Sequence, residues 1–136
     1  EIEQILNSGN NLILNRYVES NMGHQGGKIR HSDSRLKFFK WLEELEYGVF
    51  GLPRPDMVIF LYMPYKLGME LKKGRPGRAD GHESNLEHLR NAEESYLQLE
   101  ELFEWTRINC SSMGHTIKTR EEIHEQVYSE VISKLL

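Results

Sequence analysis

The chain has 136 residues, 17 Lys and Arg against 21 Asp and Glu, a formal net charge of −4 and 38% hydrophobic residues. This size permits one domain with a modest core, and the mild acidity argues against a nucleic-acid polymer as the partner. The sequence contains no apolar run that could span a bilayer, and its single Cys110 cannot form an internal disulfide, so we expect a cytoplasmic protein without a membrane partner. The six His residues lack the paired spacing of a structural zinc site, so we predict no metal ligands.

The first predicted helix covers residues 1–6 and ends near Gly9. Residues 12–15 predict a short buried strand, although so short an apolar run is also compatible with buried helix. Residues 17–25 then predict a short helix, closed by a pair of glycines. Ligands bind beyond the carboxyl ends of parallel strands, so the polar residues after the first strand are candidates for a binding site.

Apolar spacings of three and four predict the next helix over residues 34–50. The continuous apolar run within 56–63 predicts a strand covered by helices on both faces, and Pro64 suits the start of a helix over 64–73. After a basic loop rich in glycine, a long helix is predicted over 83–104 with a buried apolar stripe that includes Tyr96 and Leu99.

The last part of the chain predicts a third strand over 105–110, a loop over 111–118 and a final helix. Thr119 with Glu122 three residues later forms a capping-box pattern at the start of that helix. Strands that alternate with helices predict right-handed parallel crossovers, and therefore an α/β layer architecture.

The segment at the end of the first predicted strand carries the strongest chemical signal. A guanidinium at this position, on Arg16, offers a planar fork for two phosphate oxygens, whereas its structural alternative is an ion pair with Glu19. Hydrogen-bonding side chains follow at helical spacing: Ser20, Asn21, His24 and Gln25. These groups are either ligands of a bound molecule or caps and solvated positions of the short helix.

Residues 15–26, NRYVESNMGHQG, resemble the thymidylate kinase segment that usually reads Asp-Arg-Tyr, then Ser-Ser or Ser-Asn, then Tyr-Gln-Gly. Residues 55–61 are similar to the Pro-Asp strand of that family, and residues 72–83 to its basic lid. The resemblance implies an α/β, P-loop nucleoside-monophosphate-kinase-like fold of three layers around a parallel sheet. Residues 1–136 would then be a single partial domain, its later portion, with the N-terminal part absent.

The resemblance also implies residue roles in the acceptor site. Arg16 would contact the acceptor phosphate, and Ser20 with Asn21 would lie near the thymine ring. Asn15 replaces the Asp that the family places near the metal and the reacting phosphates, so it loses a negative charge. His24 stands where the family usually has the Tyr that disfavours a ribose hydroxyl, so the sequence leaves open whether ribonucleotides are excluded. Gln25 belongs to the same motif.

Two further groups of residues are assigned by the resemblance. In the lid, Arg75 and Arg78 are equal candidates for contacting the transferred phosphoryl group, although a solvated charged loop is the alternative from composition alone. Ser111 and Ser112 occupy the place where the family's loop contacts the adenine of the donor, chiefly through its backbone.

A phosphate loop of the form G-x-x-x-x-G-K-[ST] is missing from this sequence. Its best approximation fails because Met22 replaces the first Gly and Ile29 replaces the hydroxyl residue. The resemblance therefore implies a homodimeric kinase that uses ATP and Mg²⁺ to convert dTMP to dTDP, with this chain alone inactive. The alternatives are a related nucleotide or nucleoside kinase with another acceptor, and a non-catalytic nucleotide-binding protein.

Overall fold

The computed structural model describes residues 1–73, 82–113 and 115–135. The helices in this part of the chain are α1 (Ile2–Asn7), α2 (Val18–Gly26), α3 (Ser32–Glu43), α4 (Tyr65–Lys73), α5 (His82–Phe103) and α6 (Arg120–Leu135). The strands are β1 (Ile59–Tyr62), β2 (Thr106–Asn109), β3 (Ser111–Ser112) and β4 (Thr116–Ile117). The fold is therefore α/β with a small sheet and mostly helices.

β1 and β2 form a parallel pair, with Ile59 opposite Thr106 and Tyr62 opposite Asn109. The backbone N–H of Cys110 extends the ladder by donating to the carbonyl oxygen of Tyr62 at 2.8 Å. α5 lies between these strands in the chain, as expected of a crossover connection. Both strands consequently end at the same edge of the sheet. The predicted loop after β2 instead contains an antiparallel hairpin, β3 with β4.

The prediction of a buried strand over residues 12–15 is wrong. This segment pairs with neither strand of the parallel sheet, and the side chain of Ile13 is 95% exposed. A short apolar run becomes a strand only where a neighbouring strand accepts its backbone hydrogen bonds and a packed layer covers its side chains. The described residues supply no partner strand to this segment, and they leave Ile13 and Leu14 exposed and Leu12 only half-buried.

The core lies where α2, α3 and α5 meet. Its buried side chains come from α2 (Val18 and Met22), from α3 (Phe39 and Leu42) and from α5 (Leu99). Helices α2 and α5 approach closely because glycines within α2 and directly after its end face α5. A β-carbon built on Gly27 would lie only 3.0 Å from the Cα atom of Ala92. Contact between the two backbones at this point therefore requires a residue without a side chain.

The predicted helix over 34–50 is present but changes its geometry. α3 ends at Glu43 and continues as a π-helical segment, Glu44–Val49. Tyr47 of this segment donates a hydrogen bond to the carboxylate of Glu19, and the guanidinium of Arg54 lies 4.6 Å from the Tyr47 ring centre. The wider turn thus coincides with contacts that join the end of α3 to α2.

The capping box predicted for the last helix is confirmed. The backbone N–H of Thr119 donates to Glu122 Oε2 at 2.7 Å, and the backbone N–H of Glu122 donates to Thr119 Oγ1 at 3.2 Å. Each residue thereby satisfies a backbone donor that the first helical turn leaves unpaired. Among the helices of the described residues, none has the length and apolar character needed to cross a bilayer.

Candidate functional site

Arg16 lies at the bend before α2 and is held by two side chains of that helix. Its Nε donates to Ser20 Oγ at 3.2 Å, and its Nη2 donates to Nε2 of His24. Ser20 and His24 are four residues apart, so they lie one above the other on the same face of α2. Glu19, the alternative partner, instead accepts the hydrogen bond from Tyr47. The sequence-predicted cation and two of its predicted neighbours therefore form one exposed cluster.

The backbone of Arg16 is strained. Its φ angle of 74° lies in the left-handed region, which disfavours every residue with a β-carbon. Residues in this conformation are concentrated at functional sites, where the surrounding contacts maintain the strain. Here the strained residue is also the candidate ligand, and its conformation directs the guanidinium back along the first turn of α2.

Positive charge surrounds His24. Burial lowers the pKa of His24, and the charges of Arg16, His88 and Lys28 lower it further. Because Nε2 accepts the hydrogen bond from Arg16, the imidazole is neutral in this arrangement. Among the described residues, the side chains bound to Arg16 are neutral and leave its guanidinium charge uncompensated, and such a cation at the surface attracts anions such as phosphate.

We expect the folded chain to lose stability through His24 as the pH falls below 6.5, the ordinary pKa of this side chain. The folded pKa is lowered, so the unfolded chain binds the proton more readily, and the stabilisation present above pH 6.5 is lost as the pH falls through the folded pKa. Urea unfolding between about pH 7.5 and pH 5.5 should show a smaller loss for His24→Gln than for the parent. The matched control is His115→Gln in an exposed turn; equal losses in all three chains would contradict the expectation.

The other predicted acceptor-site residues lie beside this cluster without joining it. Asn15 is exposed immediately before the strained bend, and Asn21 is exposed on the next face of α2. Gln25 is also exposed, and its Oε1 accepts a hydrogen bond from Lys28 Nζ at 2.9 Å. The structure thus unites Arg16 with Ser20 and His24, whereas Asn15, Asn21 and Gln25 face solvent.

Of the residues predicted to contact the phosphate donor or the transferred group, the structure describes two and leaves two outside its range. Arg75 and Arg78 fall outside the described residues, as does most of the predicted lid. Ser111 and Ser112 form β3, which pairs with residues 116–117 just beyond the carboxyl end of β2. They therefore lie at the edge of the sheet where parallel strands end, and their contact with the donor's adenine stays a prediction.

Tyr96, predicted only as part of the buried stripe of α5, also contacts the candidate site. Its ring meets the ring of His24 edge-on, with centroids 5.6 Å apart, and its hydroxyl donates to the backbone carbonyl of Ser20 at 3.3 Å. On the other side it stacks on Phe60 of β1 at 5.7 Å. The available sequence signal was Gly23, whose missing side chain makes room for this ring.

Two cavities lie at opposite ends of the parallel strands. The cavity at the carboxyl end, about 220 Å³, is mainly apolar and is lined by Phe60, Leu89 and Tyr96, with the carboxylate of Glu93 fixed by Tyr62. The larger cavity, about 310 Å³, lies at the amino ends, and neither cavity is lined by a predicted site residue from the described part of the chain. We place the functional site at the carboxyl end, because open parallel sheets bind ligands there and Tyr96 links that cavity to His24.

Comparison with known proteins gives matches to thymidylate kinases. The thymidylate kinase of Mycobacterium tuberculosis (strain ATCC 25618 / H37Rv) is 35% identical over 81 residues, which cover 56% of this chain and 37% of the relative. The probable thymidylate kinase of Pyrococcus abyssi is 30% identical over 131 residues, covering 96% of this chain and 56% of the relative. That of Limosilactobacillus fermentum is 26% identical over 132 residues, covering 94% and 58%.

The chain is thymidylate kinase-like. This similarity supports a nucleotide kinase-like function and confirms the resemblance drawn from residues 15–26. The chain spans about half the length of the Pyrococcus and Limosilactobacillus thymidylate kinases and about a third of the Mycobacterium one. No protein-family model and no solved structure matches it significantly.

Proposed function

We propose that the thymidylate kinase-like chain supplies the acceptor half of a nucleoside-monophosphate kinase that forms dTDP from dTMP and ATP, within a P-loop, three-layer fold. The observation that carries this proposal is the Arg16 guanidinium, exposed at the start of α2 and oriented by Ser20 and His24. Its remaining N–H groups suit the oxygens of a nucleotide phosphate, and the neutral partners leave its charge free for that contact. The family resemblance assigns the same position to the acceptor phosphate.

In the proposed reaction, an oxygen of the dTMP phosphate attacks the terminal phosphorus of ATP, and the bond to the bridging oxygen breaks to release ADP. Such transfers depend on positioning and charge stabilisation more than on covalent chemistry. Arg16 would hold the attacking phosphate and reduce its negative charge. Ser20 and Asn21 would contact the base, and His24 would lie near the sugar. Asn15 would stand beside the reacting phosphates.

The donor and the metal would depend on residues beyond this acceptor half. The sequence has no G-x-x-x-x-G-K-[ST] loop, and the described residues place no group of three His, Cys, Asp or Glu side chains where they could share a cation. Asn15 offers an amide in place of a carboxylate, so it does not fit a Mg²⁺ ligand well. We therefore assign no metal ligand to this chain. Arg75 or Arg78 would contact the transferred phosphoryl group. The backbone of Ser111 and Ser112 would contact the adenine of ATP.

A different acceptor is the second candidate, and two residues favour it. Asn15 lacks the carboxylate usual in the family, and the His24 imidazole is smaller than the usual Tyr. A smaller side chain near the sugar leaves room for a ribose hydroxyl, which would admit UMP or CMP. A non-catalytic nucleotide-binding protein would retain the same Arg16 cluster but release no ADP. The proposal also includes a homodimer, because the resemblance to thymidylate kinases implies one.

Nucleotide titrations test the acceptor site on this chain. We expect dTMP to shift the amide resonances of Arg16, Ser20 and His24, and thymidine, which lacks the phosphate, to bind at least about tenfold more weakly. Equal affinity for dTMP and thymidine would remove phosphate recognition from the site. A coupled ADP-release assay on the complete protein, across dTMP, dUMP, UMP, CMP and deoxynucleosides, then ranks the acceptors. Rates for dTMP no higher than for UMP and CMP would overturn the thymidylate assignment.

A further inference from the structure

Tyr96 belongs to α5, yet it contacts both α2, which carries the candidate site, and the strand β1. Its ring edge faces His24, its hydroxyl binds the carbonyl of Ser20, and its face stacks on Phe60 at an interplanar angle of 15°. The ring is therefore fixed from three sides, by α2, by β1 and by its own helix. A side chain packed on three sides keeps one orientation and can therefore hold its neighbours in place better than an exposed side chain can.

Gly23 is the complement of Tyr96 on α2. A β-carbon at this position would lie 2.7 Å from Cε2 of the Tyr96 ring, and closer still to two other ring atoms. Gly23 lies between Ser20 and His24 along the helix, so the ring occupies the space that a side chain would take between the two partners of Arg16. This close approach explains why a glycine is placed inside a short helix, where it lowers helix stability.

We propose that Tyr96 is a positioning residue of the acceptor site: through Ser20 and His24 it fixes the orientation of the Arg16 guanidinium. The proposal rests on the proposed function for the identity of the ligand, but its geometric part concerns the ligand-free chain. Tyr96 shields one side of the imidazole, so His24 accepts the Arg16 hydrogen bond from a fixed ring plane. The hydroxyl holds the first turn of α2 at the distance that Arg16 Nε needs to reach Ser20 Oγ.

The first test uses the ligand-free chain. Nuclear Overhauser contacts between the ring protons of Tyr96 and His24 should be present in the parent. In Tyr96→Leu, water reaches the imidazole, and its NMR-titrated pKa should rise towards the ordinary 6.5. Tyr96→Phe retains the ring and should keep the parental His24 titration. The matched control is Tyr128→Leu, which removes a Tyr stacked on His124 of α6 and should leave the His24 titration unchanged.

The second test is dTMP binding by calorimetry. Tyr96→Leu should weaken binding by about tenfold, and Tyr96→Phe, which loses only the hydroxyl contact, by about two- to threefold. Absent ring contacts in the parent, or a His24 titration in folded Tyr96→Leu identical to that of the parent, would overturn the proposal. If Tyr96→Leu does not fold, the ring contacts and the Tyr96→Phe affinity decide. A parent chain that fails to bind dTMP would refute the proposed function alone, because the His24 titration needs no nucleotide.

Discussion

Replacing Arg16 with glycine should increase the free energy of unfolding by about 0.5 to 1 kcal/mol while weakening dTMP binding by about ten- to a hundredfold. The gain in stability follows from the φ angle of 74°, which glycine adopts without the steric penalty of a β-carbon. Part of that gain is offset, because glycine gives the unfolded chain more conformational freedom. The loss in binding follows from removal of the charged fork. Stability and affinity should therefore change in opposite directions at one residue.

Arg16→Ala separates these two effects. Alanine removes the guanidinium but keeps a β-carbon in the left-handed conformation, so we expect the same loss of dTMP affinity without the gain in stability. Arg30→Ala controls for loss of a surface charge, because Arg30 is exposed and its ion pair within the described residues, with Glu87, is long at 3.7 Å. Urea unfolding gives the stabilities and calorimetry the affinities.

Two results would contradict this view of Arg16. If Arg16→Gly were less stable than Arg16→Ala, the left-handed bend would not exist in solution. If Arg30→Ala weakened dTMP binding as much as Arg16→Ala, the effect would come from general surface charge and the assignment of Arg16 to the phosphate would fail.

The second large effect is expected from Gly26→Ala, which should destabilise the fold by about 2 to 3 kcal/mol. A β-carbon on Gly26 would lie 2.5 Å from Ser95 Oγ and 2.8 Å from Cζ of Phe39. Both partners are fully buried, so neither side chain can move into free space. Relief requires that α2 move away from both α3, which carries Phe39, and α5, which carries Ser95, and this movement would also displace the Arg16 cluster. We therefore expect dTMP affinity to fall together with stability.

The neighbours of Gly26 provide a rescue and a control. Ser95 Oγ has no hydrogen-bond partner among the described residues, so Ser95→Ala alone should cost little stability and should recover part of the loss in the Gly26→Ala background. Gly68→Ala in α4 is the matched glycine control, because open space surrounds a β-carbon at that position. It should stabilise the chain by up to about 1 kcal/mol. Equal unfolding midpoints for Gly26→Ala and Gly68→Ala would exclude tight packing of α2 against α3 and α5 at Gly26.

The candidate site was partly accessible from the sequence because its main contacts are local. Ser20 and His24 lie four and eight residues after Arg16, so helical spacing alone places them in one row. Tyr96 is 80 positions away from Arg16 along the chain, and its apolar spacing in α5 gave it a core role and nothing more. Only the packing of α5 against a glycine of α2 shows that the ring reaches the site.

By itself the sequence determined the helices and the capping box at Thr119, because each depends on residues within a few positions of one another. It also located the apolar runs that become β1 and β2, although the pairing of these strands joins residues far apart in the chain. Tertiary structure decided the rest. Residues 12–14 are apolar enough for a strand, yet Ile13 and Leu14 are exposed and Leu12 is only half-buried, because strand formation needs a partner that local pattern cannot supply. The left-handed conformation of Arg16 and the approach of Tyr96 to Gly23 likewise depend on how distant segments pack, and no local periodicity encodes such contacts.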